Sequence, residues 1–179
     1  NYELAFSQRL LNGRLNYGIN LFYIDGKNLI LTLPNPNGSG MLNQNSGEIE
    51  NTGIEVQAAF RINRHWSVDG NYSYLHMKEP VVAAPGHKLY AGTNFSHGRW
   101  NLSTGMQYIA GLYTQTDPVT TENFVLWNLR VSFQATRWLD LWARGENLLA
   151  QRYEINAGYP MPRATIMAGI SLNLLRYFR

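Results

Sequence analysis

Hydrophobic and polar residues alternate along much of this chain. Val125, Trp127, Leu129, Val131, Phe133 and Ala135 interleave with Leu126, Asn128, Arg130, Ser132 and Gln134. A period of two puts the first set on one face of a strand and the second on the other, whereas a helix would smear both sets around its surface. The pattern recurs with Leu139, Leu141, Ala143 and Gly145 against Asp140, Trp142, Arg144 and Glu146. It recurs again with Ala164, Ile166, Ala168, Ile170 and Leu172 against Thr165, Met167, Gly169 and Ser171, and with Ile54, Val56, Ala58 and Phe60 against Glu55, Gln57, Ala59 and Arg61. Such segments predict nine strands, over about 1–10, 14–33, 46–62, 66–78, 86–97, 100–114, 122–135, 138–147 and 163–176. Most reach the roughly 9–11 residues that a tilted strand needs to cross a bilayer.

The connections alternate in length. Short turns fall near Leu11–Gly13, Asn63–His65, His97–Arg99 and Thr136–Arg137, and longer loops near 34–45, 79–85, 115–121 and 148–162. Bacterial outer-membrane barrels have this asymmetry, with short periplasmic turns and longer outside loops. The expected fold is therefore all-β, an antiparallel transmembrane meander whose C-terminus returns to the periplasm. Tyr2, Tyr23, Trp66, Tyr74, Trp100 and Trp127 fall near strand ends, where a membrane interface would hold their rings.

Nine is an odd number of strands. The first and last would run the same way and could not close an antiparallel meander, and open edges in hydrocarbon cost several kcal/mol per unsatisfied group. The expectation is a part of a larger barrel; the alternative is a small self-closing eight-stranded barrel with a structural or adhesive role. The chain opens on Asn1 without a signal peptide, which points to an upstream segment lost or processed.

Composition narrows the function classes. Mean hydropathy is −0.29, and no run of 18 apolar residues marks a transmembrane helix. The formal net charge of +3 is spread along the chain with no concentrated basic stripe, so nucleic acid is not an expected partner. There is no cysteine and no Gly-x-Ser-x-Gly elbow, and His65, His76, His87 and His97 lie on separate strands or turns, so neither a metal centre, a cofactor nor a catalytic site is expected.

Three stretches carry a resemblance. They are Leu21–Ile30 (LFYIDGKNLI), Ser46–Val56 (SGEIENTGIEV), and Glu146–Leu149 (ENLL) with Tyr153 and Gly158–Arg163 (GYPMPR). Together they resemble barrel strands and the last outside loop of TonB-dependent outer-membrane receptors, over essentially the whole chain. The resemblance implies a place in the last part of a 22-stranded barrel filled by a plug. It also implies uptake of a scarce nutrient such as a ferric siderophore, cobalamin or haem, energised through TonB. No plug segment and no TonB box occurs in the chain.

The partners so implied are the remaining strands and plug, the TonB complex, the barrel-assembly machinery and outer-membrane lipid. Arg152, Tyr153, Glu154, Tyr159 and Met161 are the substrate-loop candidates. Glu55, Gln57, Arg61, Arg130, Asp140, Arg144 and Glu146 are expected to line the lumen or meet the plug, with Arg130 and Arg144 pairing across strands to Asp140 and Glu146. Ile170, Leu172, Leu174 and Phe178 fit an assembly signal.

Overall fold

The computed structural model describes residues 1–35 and 38–172. Eight consecutive strands pair as an antiparallel meander: β1 (Tyr2–Leu10), β2 (Leu15–Pro34), β3 (Met41–Arg61), β4 (Trp66–Met77), β5 (Pro85–His97), β6 (Trp100–Thr116), β7 (Val119–Gln134) and β8 (Leu139–Glu146). The chain then leaves the sheet, forms a small hairpin from β9 (Glu154–Asn156) and β10 (Tyr159–Pro160), and returns as β11 (Thr165–Leu172) beside β8. The sheet thus has nine strands, with β1 and β11 as its edges among the described residues. They do not pair with each other, so an eight-stranded closure is not formed.

Register fixes the two faces. Ile19 sits opposite Val56, which sits opposite Tyr72; one step along, Gly18, Gln57, Asn71 and Tyr90 form a cross-strand row. Alternation then carries all the apolar positions of neighbouring strands to one side. This side is exposed: Leu4, Ile166 and Ile170 are 68%, 78% and 64% accessible. The chain presents 12808 Å² of accessible surface, against about 8,800 Å² expected for a compact protein of its 20.4 kDa. Among the described residues only Ile109, Leu112 and Phe124 are buried large apolar side chains. The sheet's hydrophobic surface faces outward, as in a membrane barrel, and not into a core.

Aromatic rings bound this outer face. At the short-turn end Trp66 packs edge-on to Phe95 at 5.5 Å between ring centres, and Trp100 against Phe133 at 4.7 Å. At the other end Tyr2 stacks on Tyr23 at 6.3 Å. The indole N–H groups of Trp66 and Trp127 each donate to a threonine hydroxyl on the adjacent strand, Thr93 and Thr104. Each of those hydroxyls donates onward to the carbonyl of the residue after the tryptophan, Ser67 or Asn128. An indole donor facing hydrocarbon needs such a partner, because no water is there to accept from it.

Two of the expected long loops are corrected. The β2–β3 ladder continues to Pro34 opposite Met41, and the β6–β7 ladder to Thr116 opposite Val119, so half of 34–45 and most of 115–121 is paired strand. Backbone hydrogen bonds propagate past the apolar band, where side-chain alternation no longer marks the strand. Both extensions carry register shifts, between Lys27 and Ile30 and between Ile109 and Gln115. The connections between strands at that end are 35–40, 78–84, 117–118 and 147–164, the second and the last being the longest.

Candidate functional site

The polar face is concave. One groove of about 610 Å³ touches side chains from β2 (Asn16) across to β7 (Arg130 and Ser132), which a flat sheet could not do. A second, of about 510 Å³, runs along β1 to β5 and is lined by Glu55, Gln57, Asn71 and Lys88 among others. Rings on this face lie flat. Phe22 occupies the space a Cβ on Gly53 would need, Trp142 does so over Gly169, and Tyr90 covers both Gly92 and Gly105. Glycine opposite or diagonal to an inward ring keeps the wall low and leaves the interior open.

Glu55, Gln57, Arg61, Arg130, Asp140, Arg144 and Glu146 all lie on this wall. Glu55 shares a cross-strand row with Ser73 and Lys88, and Arg61 ends β3 opposite Ser67. The expected cross-strand ion pairs are not formed. Arg130 and Arg144 are directly opposite one another in the β7–β8 register, which the sequence could not reveal. Arg130 lies over the Trp142 ring at 5.4 Å. Arg144 meets Glu146 of its own strand at 3.5 Å and approaches the sulfur of Met167 at 3.3 Å, while its Nε lacks a partner among the described residues. Asp140 faces Gln134 and Ser171 across its two neighbours.

The segment after β8 folds inward over the far end of the wall. Ile109, Leu112 and Phe124 are buried there, with Leu126, Tyr153 and Ile155 packed against them. The Tyr153 ring packs on Phe124 at 4.2 Å between ring centres, with the two planes tilted by 33°. Burial, and secondarily the Glu146 carboxylate, raise the pKa of its hydroxyl. The pin is Asn147, only 4% exposed. Its amide donates to the carbonyls of Gln151 (2.9 Å) and Pro162 (3.1 Å), its oxygen accepts from the Gln151 N–H (3.0 Å), and its own N–H donates to Asn128 (2.9 Å). The Glu154 N–H donates to the Glu122 carboxylate (2.8 Å), and the Glu154 carboxylate accepts from the Gly158 N–H (2.7 Å).

The five loop candidates are therefore divided. Tyr153 and Glu154 hold the loop together, Met161 is half-buried with its N–H on the Tyr153 carbonyl, and Arg152 and Tyr159 are exposed, Tyr159 to 74%. Ile170 and Leu172 are on the outer face of β11, whereas Leu174 and Phe178 lie outside the described residues. His65 and His97 approach at 4.6 Å between rings despite their separation in sequence. Asn147 and the Ile109–Phe124 cluster were not anticipated. Their signal was apolar residues at Ile109, Phe124 and Leu126 on the otherwise polar side of β6 and β7.

Residues 1–148 match the family model of the TonB dependent receptor-like β-barrel. The chain belongs to this family. Several solved structures share its fold. The ferric-catecholate import receptor Fiu of E. coli is 19% identical, with a TM-score of 0.73 over 95% of this chain and 27% of its own. The copper transporter OprC is 16% identical (TM-score 0.74; 95% and 31%). The outer-membrane ferripyoverdine receptor of Pseudomonas aeruginosa is 17% identical (TM-score 0.72; 96% and 26%). The chain thus spans between a quarter and a third of the length of these proteins. No curated protein matches its sequence. Within a receptor barrel, the concave polar wall faces the lumen and the exposed apolar face meets lipid.

Proposed function

We propose that this chain forms wall and outside loops of an outer-membrane receptor that takes up a scarce nutrient, such as a ferric siderophore, cobalamin or haem, with energy supplied through TonB. The observation that carries this reading is the pairing of a lipid-type outer face with a concave, low-relief polar wall in a chain of this family. A passive pore needs a wall that hydrates. A gated receptor also needs room for a plug, and flat rings over glycines leave it.

In this reading the short turns are periplasmic and the loops at 78–84 and 147–164 are extracellular. The remaining strands cover the edges of β1 and β11, where open backbone groups would be costly in lipid. Glu55, Gln57, Arg61, Arg130, Asp140, Arg144 and Glu146 line the lumen and offer charge-assisted contacts to the plug. Arg152 and Tyr159, exposed on a pinned loop, are the residues that reach ligand; Tyr153, Glu154 and Met161 position them. Ile170, Leu172, Leu174 and Phe178 form the signal for the barrel-assembly machinery.

The test is uptake by cells that carry the full-length protein as their only receptor. Radiolabelled ferric siderophores, haem and cobalamin are offered with and without a functional TonB. Accumulation of one of them that disappears without TonB is the expected result. Equal uptake in both backgrounds would assign the barrel to passive diffusion.

A further inference from the structure

The charges of the chain are segregated along the strands. Within five residues of the four short turns the cations are Arg9, Arg14, Arg61, Arg64, Arg99 and Arg137, against only Asp69 and Asp140. Every short turn contains an arginine or is followed directly by one, and none contains an acid. All three lysines, Lys27, Lys78 and Lys88, lie elsewhere, towards the long-loop end. Neither acid neutralises the turn arginines: Asp69 accepts from Asn94 at 3.2 Å, and among the described residues none of Arg14, Arg64, Arg99 and Arg137 makes an ion pair. All four are exposed.

The position of this rim is set by the rings beside it. Trp66 with Phe95, and Trp100 with Phe133, end the outer face at this level, where aromatic side chains mark a membrane interface. Arg14 lies over Phe60, an outward-facing ring, at 5.7 Å. Successive hairpins place their turns about 10 Å apart along the rim. A guanidinium presents a planar fork that matches phosphate oxygens and is weakly hydrated, so it suits an interface better than a lysine ammonium.

We propose that the short-turn rim is a binding surface for anionic phospholipid headgroups of the leaflet it faces, with Arg14, Arg64, Arg99 and Arg137 as the phosphate-binding groups. The proposal rests on the membrane-barrel reading above. It adds a lipid preference at one end of the barrel, which the strand pattern alone does not imply.

Native mass spectrometry of the full-length protein tests it, with equimolar phosphatidylglycerol and phosphatidylcholine supplied in detergent. Wild type is expected to retain phosphatidylglycerol at least about fivefold over phosphatidylcholine. Replacing the four arginines by glutamine (R14Q, R64Q, R99Q, R137Q) is expected to bring the ratio near one, while R152Q with R163Q at the other end leaves it unchanged. Arg14 also donates to the carbonyls of Arg61 and Ile62. If the fourfold variant fails to fold, the R64Q, R99Q, R137Q variant keeps the test open and is expected to lose most of the preference. A ratio near one in wild type, a preference that survives in the variants, or its loss on adding millimolar inorganic phosphate would overturn the proposal. Failure of wild type to insert into vesicles of either lipid would instead overturn the barrel reading.

Discussion

The two ends of the sheet are built differently. At the short-turn end the ladders run in register to the last pair, and a few side chains close each turn. Asn63, for example, accepts from the N–H groups of His65 and Trp66. No buried cluster exists there among the described residues; paired rings and exposed arginines finish the structure. At the long-loop end the strands overrun the apolar band, the register slips, and the chain builds a small core of its own under the loop that Asn147 pins. The difference follows from what each end must hold. A tight turn needs only backbone pairing, whereas a loop of this length leaves the ladder and must be ordered by burial and side-chain hydrogen bonds. Stability at the loop end should therefore be local, and separable from that of the wall.

The comparison depends on a hydrophobic band between the two ends. Val56→Arg places a cation on the outer face at mid-strand and is expected to cost up to about 4 kcal/mol, whereas Gln57→Arg, one residue away on the inner wall, costs well under half of that. Urea unfolding of the two variants in lipid vesicles measures the contrast, and equal losses would remove the band. Phe124→Ala opens the small core beneath the loop. Its effect is expected near the lower end for a core Phe→Ala change, about 3 kcal/mol, and confined to that end. Limited trypsin digestion should then cut at Arg152 in the variant well before wild type, with the heat-modifiable migration of the barrel unchanged. Unfolding of the whole barrel would mean the two ends are not independent.

Asn147→Ala removes three side-chain hydrogen bonds of the loop and is expected to cost about 2 kcal/mol there. Hydrogen exchange at Gln151, whose N–H bonds to Asn147, should rise while exchange in β5 and β6 stays put. The smallest effect is expected from Trp66→Phe at the opposite end. It keeps the ring but loses the N–H to Thr93, for about 1 kcal/mol of global stability in the same urea titration. A loss as large as that for Phe124→Ala would show that the short-turn end relies on more than its ladders.

The wall was legible in the amino-acid pattern because period-two alternation, register and lipid burial are one constraint: a single slip would turn every apolar residue of a strand inward. β4, β5 and β8 accordingly fall within one residue of their expected limits. Legibility ended where that constraint ended. Beyond the band, Leu42 and Val119 extend ladders by backbone pairing alone, and the sequence there reads as loop. The confrontation of Arg130 with Arg144 depends on a β7–β8 register that composition does not encode. Tyr153 looked like a ligand-facing aromatic because nothing local shows that Phe124, far away in the chain, is waiting beneath it.

The most direct measurement of the central claim is cysteine labelling. The chain has no cysteine, so single replacements along β7, from Trp127 to Ser132, in a full-length protein whose cysteines outside this chain are first replaced by serine, report each position separately. With the protein in lipid vesicles, a small water-soluble maleimide is expected to label positions 128, 130 and 132 and to leave 127, 129 and 131 unlabelled. Uniform labelling, or labelling in the opposite phase, would contradict a wall with lipid on one side and an aqueous lumen on the other.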